Sequence, residues 1–317
     1  MKKILILITL SISTLVLFAT SYAGEIFQLS PGVANQAMGN TGVTNSAALS
    51  AGWWNPALLS RSREQGLELM RSEHFEGLLE QNQASIILGK TSHSSIIINH
   101  LGVNNIKLTE LEDPADSLSN DNRPQVWKTI GNNDFILYGA IARELSQSLS
   151  IGIAPKLAYR SLAEHSGYAF GADLGVFWQA SESFALGANL RDFFSTQVIW
   201  ENGSYELVIP NLDLETAYSF SVLGGSVPVR LAARAQILAE DRGEAATLNA
   251  GPLSADFHGG ISLSPIPQLS ILGGYDVDSI TAGIALRYSS FGLDYAFRAN
   301  SPDGLGTSQR VSLSYRW

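Results

Sequence analysis

From about residue 67 to the last residue, apolar side chains recur at every second position, in segments of about ten residues. A period of two is that of a β-strand, whose successive side chains point to opposite faces, and a helix cannot produce it. The C-terminal third shows the pattern most cleanly. Ile280, Ala282, Ile284, Leu286 and Tyr288 alternate with Thr281, Gly283, Ala285 and Arg287. Phe291, Leu293, Tyr295 and Phe297 then alternate with Gly292, Asp294, Ala296 and Arg298, across a short turn. In the final segment Val311, Leu313, Tyr315 and Trp317 share one face, and Arg310, Ser312, Ser314 and Arg316 share the other. The middle of the chain repeats this with Ala172, Leu174, Val176 and Trp178, with Phe184, Leu186, Ala188 and Leu190, and with Leu231, Ala233, Ala235 and Ile237. Asp173, Gln179, Asn189, Arg230, Arg234 and Gln236 lie opposite.

Fourteen candidate strands follow, near 67–75, 81–90, 94–103, 133–143, 148–160, 167–180, 184–193, 214–224, 228–239, 255–264, 268–276, 279–288, 291–299 and 309–317. An even number returns both termini to one side of a membrane, as in bacterial outer-membrane barrels. Polar linkers at about 104–132, 194–213 and 239–254 alternate with tight turns, the inequality such barrels show between their two ends. The stretch Leu108 to Arg123 carries Glu110, Glu112, Asp113, Asp116 and Asp121, and reads as a solvated loop. A soluble sandwich or a larger β-solenoid would show alternation too, because alternation reports one apolar face without saying whether it meets protein or lipid. Fourteen strands around one barrel would put every apolar face in the bilayer and the Arg, Asp, Asn and Gln opposite in a wet lumen. The expected architecture is all-β: a transmembrane antiparallel β-barrel of about 14 strands, residues 63–317, with Trp178, Trp200, Tyr275, Tyr288, Tyr295, Tyr315 and Trp317 as candidates for interfacial aromatic belts.

The remaining composition narrows the function classes. Lys2 and Lys3 precede the apolar stretch Ile4–Phe18, and Ser21 and Ala23 supply the small residues a secretory peptidase reads, so residues 1–23 read as a cleaved signal peptide. After it, no run reaches the 18 or more apolar residues of a membrane helix. A formal charge of -9, and -11 without the signal, argues against a nucleic-acid partner. Zero Cys removes disulfides, thiol nucleophiles and Cys-ligated metal, leaving strand pairing and packing to hold an exported chain together. The histidines His74, His93, His100, His165 and His258 form no HExxH or short-spaced metal cluster, and no GxSxG elbow occurs. No catalytic, metal or cofactor site is expected. Arg287 and Asp294, on neighbouring strands, read as a lumen ion pair.

Two features carry a family resemblance. Tyr315-Arg316-Trp317 closes the chain on an alternating strand and resembles the aromatic C-terminal signal read by the outer-membrane barrel assembly machinery. The stretch Leu29–Val43, followed by Ala47–Leu59 with Trp53-Trp54-Asn55-Pro56-Ala57, resembles the start of the long-chain fatty-acid transporter (FadL-like) superfamily, and within it the PorV/PorQ-like group. Where relatives often carry an acidic residue before the alanine-rich part, this chain has Asn45 and Ser46. The resemblance implies that residues 24–62 form a small hatch inside the barrel, marked by Asn55, Pro56 and Ala57, with Met38, Trp53 and Trp54 packing the hatch or touching cargo. The function it implies is an outer-membrane channel for hydrophobic or amphipathic small molecules such as long-chain fatty acids. The alternatives are a PorV-like accessory barrel bound to a protein secretion complex, or a closed structural barrel. Outer-membrane lipids would surround any of these.

Overall fold

The computed structural model describes residues 22–89, 94–163, 165–299 and 306–317. Most of the expected signal peptide, residues 1–21, lies outside the described residues, as does His93. Among those described, seventeen strands form one sheet. In chain order they are β1 Gly66–His74, β2 Leu79–Leu88, β3 Ser94–Leu111, β4 Pro124–Glu144, β5 Leu149–Leu162 and β6 His165–Gln179. Next come β7 Phe184–Arg191, β8 Thr196–Trp200, β9 Tyr205–Val208, β10 Asn211–Val222, β11 Val227–Leu238 and β12 Leu248–Ala250. The last are β13 Leu253–Ile266, β14 Leu269–Asp276, β15 Ser279–Tyr288, β16 Phe291–Arg298 and β17 Ser308–Arg316.

Every pairing is antiparallel, and β1 pairs with β17 from Gly66↔Arg316 to Glu73↔Gln309, which closes the sheet on itself. Closure removes the edges an open sheet would leave unpaired. The strands make fourteen staves. β7 and β8 both pair with β6 and are two parts of one stave, β9 and β10 are two parts of the next, and β12 is a short hairpin arm against β13. A closed fourteen-stave antiparallel barrel is therefore the fold, and each candidate strand read from the alternation falls on one stave.

The alternate faces separate as the pattern requires. Val311, Leu313, Tyr315 and Trp317 point outward, Trp317 being 52% exposed, while Arg310, Ser312 and Ser314 are buried in the lumen. An exterior lined by such apolar side chains suits hydrocarbon, and the closed ladder satisfies the backbone without water.

Three expectations need correction. The linker at 104–132 is mostly strand: β3 and β4 continue to Leu111 and Pro124, past the last partners on β2 and β5, as a two-stranded ribbon beyond the wall. Its exposed polar residues have no buried face to impose alternation. The linker at 194–213 is likewise built into the wall as β8, β9 and the start of β10. The lumen is also not polar on every stave, because Ile97 and Leu101 on β3 and Ile136 and Tyr138 on β4 face inward in one buried cluster with Trp53 and Trp54.

Candidate functional site

The N-terminal segment, residues 22–62, lies inside the barrel. Its helix Val33–Ala37 touches β14 to β17, its helix Ala51–Trp54 touches β3 and β4, and its 3-10 turn Pro56–Arg61 touches β4 to β6. Rich in small residues and poor in charge, it has too little apolar volume for a core of its own, so its order comes from the wall.

The turn at Asn55 shows how the local sequence does this. Pro56 occupies the first helical position, where the missing N–H costs nothing, and restricts Asn55 to extended geometry, φ −163° and ψ 108°. Asn55 is 0% exposed. Its Oδ1 accepts from the Ala57 N–H at 3.1 Å, and its Nδ2 donates to the Val43 carbonyl at 3.0 Å and to the Val176 carbonyl of β6 at 2.9 Å. One amide thus caps a turn, ties two parts of the segment together and fastens both to the wall.

The wall opposite has been cleared for it. Gly152 on β5 and Gly175 on β6 are register partners, and a Cβ on either would overlap the Asn55–Pro56–Ala57 backbone or the Asn55 side chain. A second glycine pair stands elsewhere on the wall: Gly260 on β13 and Gly274 on β14 are also register partners, and a Cβ on either would overlap Met38 or Gly39. There Thr281 Oγ1 accepts from the Gly39 N–H and donates to the Ala37 carbonyl, both at 2.9 Å. Met38 itself is buried in a cluster with Met70, Ala217, Leu272 and Ala285. The segment is therefore seated at two glycine docks on different walls.

Between the docks, a wall carboxylate grips three successive backbone amides. Glu215 on β10 accepts from the N–H groups of Gly42 at 2.7 Å, Val43 at 2.9 Å and Thr44 at 3.0 Å, and from the Thr44 hydroxyl. Successive amides converging on one anion form a nest, here with the anion supplied by the barrel. Arg230 on β11 completes it by donating to the Thr44 carbonyl at 2.9 Å.

A band of alternating charge runs around the same walls. Lys156 bridges Asp173 at 2.8 Å and Asp192 at 2.7 Å, Arg191 and Arg234 share Asp213 at 2.6 and 3.2 Å, and Arg234 reaches His258 at 2.9 Å. His258 then pairs with Asp276 at 2.8 Å, and Arg298 with the same carboxylate at 3.2 Å. The aromatic side chains of the segment sit on its cations. The Arg191 guanidinium lies 3.8 Å from the Trp53 ring centre, Arg234 lies 5.4 Å from that of Trp54, and the Lys156 ammonium lies 4.8 Å from that of Phe27. Trp54 also donates to the Pro31 carbonyl at 2.9 Å. Desolvated cation–π contacts are worth about 2 kcal/mol each, so Trp53 and Trp54 link segment to wall. The expected Arg287–Asp294 pair forms on β15 and β16.

One stave is interrupted. Between β7 and β8, residues 192–195 leave the ladder, with Asp192 and Ser195 at φ 55° and 62°. β6 pairs with β7 along Leu174–Gln179 and with β8 along Gly167–Phe170, and the gap is crossed by the Phe193 N–H donating to the Ala172 carbonyl at 3.1 Å. The interruption inverts the strand phase: odd-numbered residues through Arg191 face inward, whereas Thr196, Val198 and Trp200 do so after it. Trp200 is consequently inside, 8% exposed and over Arg160, and leaves the set of candidate belt residues. Trp178, Tyr275, Tyr288, Tyr295, Tyr315 and Trp317 are exposed on the outer side, with Tyr315 and Trp317 stacked at 5.9 Å. Phe193 and Phe194 pack edge to face at 4.9 Å in the interruption, Phe194 exposed on the exterior and Phe193 half-buried.

Among the described residues, no group of three or more His, Cys, Asp or Glu is arranged to hold a metal. No family model matches the sequence, and no curated relative matches it. Solved structures match the fold. The chain is similar to the toluene transporter TodX of Pseudomonas putida, at a TM-score of 0.57 and 12% identity over 90% of this chain and 98% of that one. It is similar to the toluene transporter TbuX of Ralstonia pickettii, at a TM-score of 0.56, 12% identity and the same coverage. A FadL homologue of Pseudomonas aeruginosa gives a TM-score of 0.55 at 10% identity, over 91% of this chain and 98% of that one.

Proposed function

We propose that the protein is an outer-membrane channel for hydrophobic or amphipathic small molecules, in which residues 24–62 act as a hatch and cargo leaves sideways through the wall between β7 and β8. One observation carries this reading. The hatch is fixed at two docks and a carboxylate nest, while the ladder beside it is interrupted at residues 192–195. An apolar solute gains nothing by entering water at the far end of a lumen, whereas an opening in the wall returns it directly to hydrocarbon. The barrels of similar fold are toluene transporters and a FadL homologue, which supports apolar cargo as the class.

The absence of native cysteine makes the route testable. Ala172→Cys combined with Phe193→Cys places one cysteine pair across the interruption. In cells carrying this variant, uptake of labelled toluene or of a long-chain fatty acid is expected to fall on oxidation and return with reductant. Uptake indifferent to the oxidation state of a formed disulfide overturns the lateral route, and no uptake above cells lacking the protein overturns the channel.

A second reading is favoured by the β3–β4 ribbon, whose two outer edges have no strand partner beyond Gly102 and Asn133 among the described residues. Unpaired strand edges are templates for another chain. A PorV-like accessory role would use the ribbon to hold a protein secretion complex, and native-membrane purification of the tagged barrel would recover that complex, with recovery lost when residues 104–131 are shortened.

A further inference from the structure

Arg310 faces the lumen from β17 and is 6% exposed. A guanidinium stays charged at any pH a protein meets, and a buried charge needs a partner. Four other lumen arginines have theirs: Arg191 and Arg234 share Asp213, Arg287 has Asp294 and Arg298 has Asp276. Arg310 has no carboxylate within ion-pair distance among the described residues. Its Nη2 lies 3.3 Å from His74 Nδ1, and its buried Nε meets no acceptor among the described residues. His74 does not supply the missing charge. Its Nε2 lies 3.1 Å from Gln81 Oε1, the donor role of a neutral ring whose Nδ1 accepts from Arg310.

The guanidinium lines a cavity of about 220 Å³ between the hatch and the wall, reached by Ser30 and Asn40 on one side and by His74, His258 and Arg298 on the other. Asp276, which also lines it, is taken up by His258 and Arg298, and the Nε of Arg298 is a second buried donor without an acceptor among the described residues. The space corresponds to about seven water volumes, enough for a compact anion with part of its hydration shell.

We propose that this cavity is a subsite for an oxyanion of the carboxylate or phosphate class, held by Arg310 with Arg298 beside it. A planar fork presents two donors to such a group, and the low dielectric of a packed lumen strengthens the attraction. The occupant is either the head group of an amphipathic cargo or a free small anion. The site does not depend on apolar cargo crossing the wall, so the uptake test and the binding test can fail independently.

The test is calorimetric titration of the full-length protein in detergent with sodium phosphate, sodium acetate and sodium dodecanoate, with dodecanol as the uncharged probe. Saturable binding of at least one anion is expected, with affinity lowered about tenfold or more in Arg310→Met and partly kept in Arg310→Lys. Phosphate or acetate binding as well as dodecanoate identifies a free anion, and dodecanoate alone identifies a head group. Equal affinity in wild type and Arg310→Met, binding of dodecanol as tight as of dodecanoate, or no binding of any anion overturns the proposal. Should Arg310→Met not fold, crystals of the wild-type protein soaked in selenate decide: an anomalous peak is expected within hydrogen-bond distance of the Arg310 guanidinium, and its absence refutes the site.

Discussion

Glu215→Gln isolates the grip of the wall on the hatch with almost no change of shape. The carboxylate accepts four hydrogen bonds, three from the consecutive N–H groups of Gly42, Val43 and Thr44 and one from the Thr44 hydroxyl. A glutamine has one acceptor oxygen in that position, and its NH₂ must face donors wherever the second carboxylate oxygen stood. At least one buried N–H then loses its acceptor, at about 1–3 kcal/mol. The surviving bonds fall from charge-assisted to neutral, at about 1 kcal/mol each. A total of at least about 3 kcal/mol shifts the balance between docked and released nest by about a hundredfold or more. Hydrogen exchange reads this directly. The amides of Gly42, Val43 and Thr44 are expected to exchange about a hundredfold faster in the variant, while the β14–β15 ladder keeps its protection, because local opening sets the exchange rate of a buried amide. Unchanged protection at all three amides in a folded barrel would refute the nest as a mount.

The glycine docks make a steric prediction: Gly175→Ala puts a methyl into Asn55 and is expected to cost about 1–3 kcal/mol by overpacking. Gly139→Ala, with nothing within 4 Å of the new methyl, is the control and should leave thermal unfolding unchanged. Arg191→Met removes a partner of Asp213 and the cation over Trp53, and is expected to destabilise the barrel by about 3–5 kcal/mol, measured as a shift in the denaturant midpoint of the lipid-reconstituted protein. A midpoint within error of wild type would show that the charged band is dispensable.

The staves were legible because each buries one face, and burial writes a period of two into the sequence. Legibility ended where that cause ended. The ribbon of β3 and β4 has water on both faces, so residues 104–132 read as linker although 106–111 pair with 124–130. Trp200 was a belt candidate inside a stretch read as linker; that stretch is wall, and residues 192–195 leave the ladder and invert its phase, which turns Trp200 inward. The inward faces of β3 and β4 hold Ile97, Leu101, Ile136 and Tyr138 because the hatch aromatics pack there, a cause outside those strands. The functional groups were harder still. Lys156, Arg191, Glu215 and Arg234 fall on candidate strands as polar residues opposite an apolar face, and Asp213 fell in a stretch read as linker; joining them into a band requires register between strands far apart in the chain. The glycines offered the one usable signal: Gly152 and Gly175, or Gly260 and Gly274, lie on neighbouring candidate strands and invite the question of what approaches both.

The two docks also bear on how such a barrel closes. Residues 55–57 seat on β5 and β6, at mid-chain, and residues 37–39 on β13 to β15, near its end. The seam between β1 and β17 joins segments separated by most of the sequence, a contact whose loop-closure entropy is lost before any strand pairing compensates it. A short segment already bound to the first half and carrying a seat for the second converts that search into a tethered one. The hatch is thus placed to act as an internal jig, narrowing the gap between the two edges of an unfinished sheet before they meet, and a chain deprived of it should assemble slowly even if the finished barrel is stable.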